Sequence, residues 1–132
     1  TILNRYSPSS FNHDRSWWIS EKLSINKMQK AATYFEGTHD FTSFRSKGCQ
    51  SKSPIKTLDK VRVKKICNYI HIDLEAKSFL YNQVRIIVGT LRQVGNGKFN
   101  IDSIALIINR KDRAFAGPTA PPKGLTLIKV KY

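Results

Sequence analysis

The chain has 132 residues, 40% of them hydrophobic, and a net charge of +14 from 23 Lys+Arg against 9 Asp+Glu. That length suits one domain with one sizeable core, and the composition excludes a disordered chain and a bundle of bilayer-crossing helices. So large a positive excess costs compactness through self-repulsion and points to a polyanionic partner, nucleic acid first and an anionic membrane surface second.

The opening "TILNRYSPSS" shows no signal-peptide pattern and no initiator Met, which suggests a piece of a longer chain. "TIL" predicts the end of a strand, and the turn-rich "NRYSPSSFNHDRS" a loop leading to "WWI". Trp17 and Trp18 are adjacent, so they cannot face the same side of regular structure. One can anchor the core, and the other can pack on a partner surface or base.

"SINKMQKAATYFEG" reads as a helix from Ser24 to Gly37. Ser24 is the N-cap, Ile25, Met28, Ala32 and Phe35 recur at helical spacing, and Gly37 is the stop. "THDFTSFRSKGCQSKSP" is a polar, basic loop with two aromatic anchors, Phe41 and Phe44. The "THD" of Thr38 to Asp40 fits a helix-ending Asx turn better than a fragment of a catalytic triad.

A hairpin follows. In Thr57 to Ile66, Val61 and Val63 alternate with Lys60, Arg62 and Lys64; in Asn68 to Phe79, Ile70, Ile72 and Leu74 alternate with His71, Asp73 and Glu75. This period of two marks half-buried antiparallel strands with a turn at Cys67 and Asn68. The first strand then carries a basic outer face. Eight bases between Arg45 and Lys65 meet one acid, Asp59.

In "FLYNQVRIIVGTLRQVGNGKF", Val84, Ile87, Val88, Leu91 and Val94 form a helical stripe closed by Gly95 to Gly97. A second helix runs roughly from Asp102 to Arg110, with Ile104, Ile107 and Ile108 on one face and Asn100 or Asp102 as its cap. "KDRAFAGPTAPPKG" is a long loop, and "LTLIKVKY" a C-terminal strand. The order of strands and helices predicts an α+β fold, a largely antiparallel sheet with helices packed on one face. Neither an internal repeat nor an inner domain boundary is visible, so residues 1–132 read as a single domain.

Arg85 is the anomaly, a permanent cation followed directly by Ile86, Ile87 and Val88. It can snorkel from the edge of the stripe, or sit at a cleft edge and grip a carboxylate or phosphate. Asp73 and Glu75 are the best internal partners, and an external partner stays open. Cys49 and Cys67 are too few for a disulfide framework, lack metal-ligand spacing and read as reduced, intracellular thiols. His13, His39 and His71 are scattered, and no P-loop, HExxH or GxSxG occurs. The bases from Arg45 to Lys65 and those of "RKDR" can track a phosphate backbone, although "RKDR" also suits the end of a helix dipole.

Taken together, "FLYNQVRIIVGTLRQVGNGK", "KDRAFAGPTAPPKGLTLIKVKY" and "GTHDFTSFRSKGCQSKSPIKTL" closely resemble the C-terminal half of the TruA family of tRNA pseudouridine synthases. The signature is F-x-x-x-x-V-R-x-x-V-G followed by K-D-R, G-P-T-A-P and G-L-x-L. The resemblance implies an isomerase that converts uridine to pseudouridine in the tRNA anticodon stem-loop (positions 38 to 40). It implies no cofactor and no metal, a cytoplasmic homodimer and tRNA as the partner. The family's reactive Asp, in a G-R-T-D motif, and its active-site Tyr do not occur in these 132 residues. The chain alone is therefore expected to be inactive, and to self-associate through an apolar face left uncovered.

By the same resemblance Arg85 pairs with that absent Asp, and Leu125 and Phe79 line the pocket under the target base. Arg45, Lys47, Lys52, Lys56, Arg62, Lys111 and Arg113 would face RNA phosphates. Without its partner half, the Arg85 guanidinium is expected to face solvent or a stray anion. The alternative is a stand-alone, non-catalytic RNA-binding module of similar fold.

Overall fold

Strands and helices follow one another in the computed structural model, which describes residues 1–4, 16–45, 53–80 and 82–125. The order is β1 (Ile2–Asn4), β2 (Trp17–Ile19), α1 (Ile25–Ala32), β3 (Gly37–Asp40), β4 (Ile55–Ile66), β5 (Tyr69–Ala76), α2 (Gln83–Gly95) and α3 (Ser103–Arg110). The five strands form one sheet in the order β2-β1-β5-β4-β3. Among the described residues only β1 and β2 pair parallel; the other neighbours are antiparallel. With three helices packed against the sheet, the fold is α+β as the alternation and helical stripes predict. The predicted C-terminal strand lies outside the described residues from position 126 onward.

The hairpin of β4 and β5 forms because each strand carries one apolar face. Val61 pairs with Leu74 and Val63 with Ile72. Leu58, Val61, Val63 and Ile70 are buried, while Lys60, Arg62 and Lys64 stand in solvent on the opposite face. A register shift between Leu58 and Lys60 moves the alternation by one, so that Leu58 and Val61 both point inward. Cys67 and Asn68 make the turn, with Cys67 at φ 54° and its free thiol exposed.

The helices supply the other wall of the core. The Ser24 side chain caps α1 by accepting from the Lys27 N–H at 3.4 Å. Met28, Ala31 and Ala32 are sealed beneath that helix. Where α1 meets α2, a β-carbon on Gly95 would stand 2.7 Å from the Met28 sulfur, so glycine lets the helices touch. Ile104, Ile107 and Ile108 anchor α3 as its spacing predicts. Phe41 and Phe44, the loop anchors, are fully buried, and Phe44 meets Phe35 edge to face at 5.1 Å. Each such side chain contributes about 1.5–3 kcal/mol of burial.

Four details differ from the sequence reading. The α1 helix does not reach Gly37; it ends at Ala32 and tightens into a 3₁₀ turn over Thr33–Phe35. "GTHD" is strand β3 rather than loop, joined to β4 partly by a 2.6 Å bond between Thr38 and Thr57 hydroxyls. "WWI" is likewise a strand, completed by pairing with β1. Asp102 occupies the N-cap position of α3 without capping it, because its carboxylate accepts from the Tyr34 hydroxyl at 2.9 Å. The Asx turn at Asp40 does form: its Oδ1 accepts from the Thr42 N–H at 2.9 Å, though it closes a strand rather than a helix.

Candidate active site

Helix α2 is buried more widely than its predicted stripe. Ile86, Gly89 and Thr90 are buried besides Ile87, Leu91 and Val94, whereas Val84 and Val88 are only half-buried. The extra covering comes from the loop that follows α3. A β-carbon on Gly89 would lie 1.6 Å from the Pro118 carbonyl oxygen, and one on Gly117 would lie 2.7 Å from Thr90 Cα. The loop backbone thus lies flat on the helix, and only glycine leaves room on both sides. Thr90 bridges the two: its hydroxyl donates to the Ile86 carbonyl at 2.8 Å and accepts from the Gly117 N–H at 2.9 Å.

Arg85 emerges at the edge of this contact. Its Nε donates to the Ala120 carbonyl at 2.7 Å, and its own carbonyl accepts from the Ala120 N–H at 3.0 Å. Its Nη1 donates to Asn82 Oδ1 at 3.0 Å. The side chain is half-buried. It therefore neither snorkels freely nor faces bare solvent, which corrects that expectation; the loop that roofs α2 brings a carbonyl to it. Among the described residues no carboxylate pairs with it. Asp73, one of the two sequence candidates, lies 3.8 Å from Lys64 instead. Both observed acceptors are neutral, so neither offsets the guanidinium with a counter-charge.

Phe79 and Leu125, the two residues expected to line a pocket, are both exposed. Phe79 is 38% exposed and precedes buried Leu80, whose N–H donates at 2.7 Å to Oε1 of fully buried Gln83, the first residue of α2. Leu125 is 52% exposed and follows the 3₁₀ turn Pro122–Gly124, where Gly124 lies close against the Thr1 carbonyl and the Trp17 N–H.

The described basic residues singled out earlier have contacts of their own. Lys56 donates to Ser78 Oγ at 3.1 Å, and Arg62 pairs with Glu36 at 3.5 Å. Lys111 lies 3.9 Å from Asp40. Burial pushes the Asp40 carboxyl up, but the Thr42 hydrogen bonds and the Lys111 and Arg45 charges outweigh it and hold the group below its ordinary value. Arg113 donates to the Thr119 hydroxyl at 3.1 Å, one residue before the Ala120 anchor. Lys47, Lys52 and Cys49, like His13, lie outside the described residues. His39 and His71 have structural settings: His39 contacts the Glu36 carbonyl and the Phe41 ring, and His71 stacks on Tyr69. Among the described residues, no three His, Cys, Asp or Glu side chains gather to hold a metal.

Sequence reasoning missed the acceptors. Asn82 was visible three residues before Arg85, but an Asn at a helix start suggests a cap. Ala120 carries no chemical signal at all, since it works through its backbone.

The loop that supplies Ala120 carries the "KDR" and "GPTAP" pair, and its fit to α2 accounts for their joint occurrence with "VRIIVG". A family profile described as tRNA pseudouridine synthase matches residues 31–132, which includes both. The chain belongs to the tRNA pseudouridine synthase family. The tRNA pseudouridine synthase A of Ehrlichia canis (strain Jake) is 47% identical over 131 residues, covering 99% of this chain and 54% of the relative. That of Caulobacter vibrioides (strain NA1000 / CB15N) is 45% identical over 99% of this chain and 53% of its own length. That of Rhodospirillum rubrum is 43% identical over 99% of this chain and 47% of its own length. The chain thus spans about half the length of the curated synthases it matches.

Proposed function

We propose that these residues form the C-terminal domain of a tRNA pseudouridine synthase that isomerises uridine in the anticodon stem-loop, acting in the cytoplasm as a homodimer without metal or cofactor. The observation that carries this reading is Arg85: half-buried, held by two neutral oxygens, and unpaired with any carboxylate among the described residues. A guanidinium fixed in this way is prepared for an anion arriving from elsewhere in the protein. On this reading the anion is the reactive Asp, contributed by a segment outside these 132 residues.

The chemistry explains the arrangement. The uracil must leave its stack, lose its glycosidic bond, turn and reattach through carbon. Extrusion costs a few kcal/mol, which contacts in the pocket must offset. Phe79 and Leu125 offer apolar surface for the flipped base. The Asp must be anionic to react in a site closed to water, and an adjacent guanidinium favours that form and orients it. Arg45, Lys47, Lys52, Lys56, Arg62, Lys111 and Arg113 remain candidates to meet RNA phosphates; the side chains of Arg62 and Lys111 are themselves exposed and hold their acids at 3.5 and 3.9 Å, contacts that cost little to exchange.

The test is pseudouridine formation in an anticodon stem-loop by the intact protein and its Arg85→Ala variant. The variant should lose at least about a hundredfold in rate while its circular dichroism stays unchanged. Full activity in Arg85→Ala would refute the role given to this residue.

A further inference from the structure

We propose that Asn82 is a positioning residue for the reaction, a neutral acceptor that aims the Arg85 guanidinium without consuming its charge. The inference rests on the reading of Arg85 given above. Asn82 is the N-cap of α2, and an N-cap residue ordinarily has extended backbone and turns its side chain onto the N–H groups of the first helical turn. Asn82 does neither. Its backbone is left-handed, at φ 60° and ψ 8°, and its side chain makes no capping bond. The side-chain oxygen goes instead to Arg85 Nη1 at 3.0 Å. The residue is withdrawn from a stabilising cap, and its side-chain oxygen is turned onto the guanidinium. Departures of this kind from local preference concentrate where geometry serves function.

The choice of an amide is the second half of the inference. Asn and Asp both tolerate left-handed backbone, and both are strong N-cap residues. An Asp at this position would reach the same Nη1, but as an anion. It would satisfy the cation internally and weaken its hold on a carboxylate from outside. Asn fixes direction and leaves the charge available. The Ala120 carbonyl at Nε works in the same way from the loop side. Two neutral acceptors on different N–H groups fix the plane of the guanidinium, while its remaining N–H groups stay available for an incoming carboxylate.

The experiment uses the intact protein with Asn82→Gly, Asn82→Asp and, as reference, Arg85→Ala. Glycine accepts φ 60° without strain, so Asn82→Gly should keep the parent melting temperature. Its kcat should fall about tenfold or more with KM nearly constant, because a displaced guanidinium affects the reacting geometry rather than RNA binding. Nitrogen-15 NMR of the Arg85 side chain should show faster exchange of the Nη protons in Asn82→Gly than in the parent. Asn82→Asp should move the acid limb of the kcat profile to higher pH, because the reacting carboxylate loses part of the charge that keeps it ionised. A purely structural role for Asn82 would not move that limb. If Arg85→Ala is inactive while Asn82→Gly keeps parental kcat, or while the Asn82→Asp acid limb stays put, the aiming role is wrong and the reading of Arg85 stands. If Arg85→Ala is fully active, the reading of Arg85 is wrong and the aiming role falls with it.

Discussion

Glu21 shows how a single side chain ties the edge of the sheet to a helix end. Its carboxylate accepts from Arg92 Nη2 at 2.6 Å and from Asn96 Nδ2 at 3.1 Å, and the same Arg92 lies over the Trp17 ring at 5.3 Å. The Asn96 hydrogen bond, with help from the Arg92 charge and against the push of burial, holds the Glu21 carboxyl below its usual 4.5. A carboxyl depressed in the fold stabilises it above the unfolded value and loses that contribution as pH falls through the folded one. Glu21→Gln should therefore melt earlier than the parent above about pH 4.5, by about 1 kcal/mol or less because the pair is partly exposed, and the two should converge in more acid buffer. A gap in melting temperature that is constant with pH would argue against this pairing. The pair also explains the adjacent tryptophans: Trp17 is half-buried under the arginine, and Trp18 is turned outward. Their opposite orientation was legible in the sequence. Arg92 as the covering cation was not, because it lies on another element far along the chain. Arg85 was legible as an anomaly for the same reason that its acceptors were not: composition shows a misplaced charge, and only the fold shows what surrounds it.

Among elements, the contact between α2 and the loop after α3 sets the position of Arg85. Gly89→Ala would drive a methyl group into the Pro118 carbonyl, and since the obstacle is backbone the loop must lift. Overpacking of this kind costs about 1–3 kcal/mol, measurable by urea denaturation, and activity should fall further than stability because Ala120 moves with the loop. A Gly89→Ala variant with parental activity would show that the loop does not place the guanidinium. The strength of each element's own pattern decided what could be read in advance. The β4–β5 hairpin carries one apolar face per strand, so its pairing and turn were plain. Strands β2 and β3 have three and four residues, too few to show a period, and exist because β1 and β4 offer them an edge. The breadth of burial on α2 was hidden too, since Gly89 and Thr90 do not look like core residues until a loop lies on them.

On the scale of the whole molecule, one side of the hairpin presents a row of cations. Lys60, Arg62 and Lys64 project from β4 away from the core, and Arg62 and Lys64 hold their acids at only 3.5 and 3.8 Å. On the proposed function these cations exchange weak internal partners for phosphates. Each such contact releases counterions, so tRNA affinity of the intact protein should fall steeply with salt. Removing one contact, as in Arg62→Ala, should reduce the slope of log K against log salt by about one and weaken all tRNA sequences alike. An unchanged slope would place that residue away from RNA. The α+β class and the basic character of the hairpin were both legible from residues alone. The carboxylate that the proposed function assigns to Arg85 was not, since that reading places it outside these residues.

The hold on Arg85 from the loop is made entirely by main-chain atoms of a residue that is already alanine. Alanine scanning of this segment would pass over it and leave that grip unprobed. Sequence drift can rewrite side chains around residue 120 without disturbing the grip, provided the backbone keeps its path between the two glycine contacts and the prolines. On the proposed function the constraint here falls on the shape of the chain, and it will be detected by changes that alter backbone geometry, not by those that trim side chains.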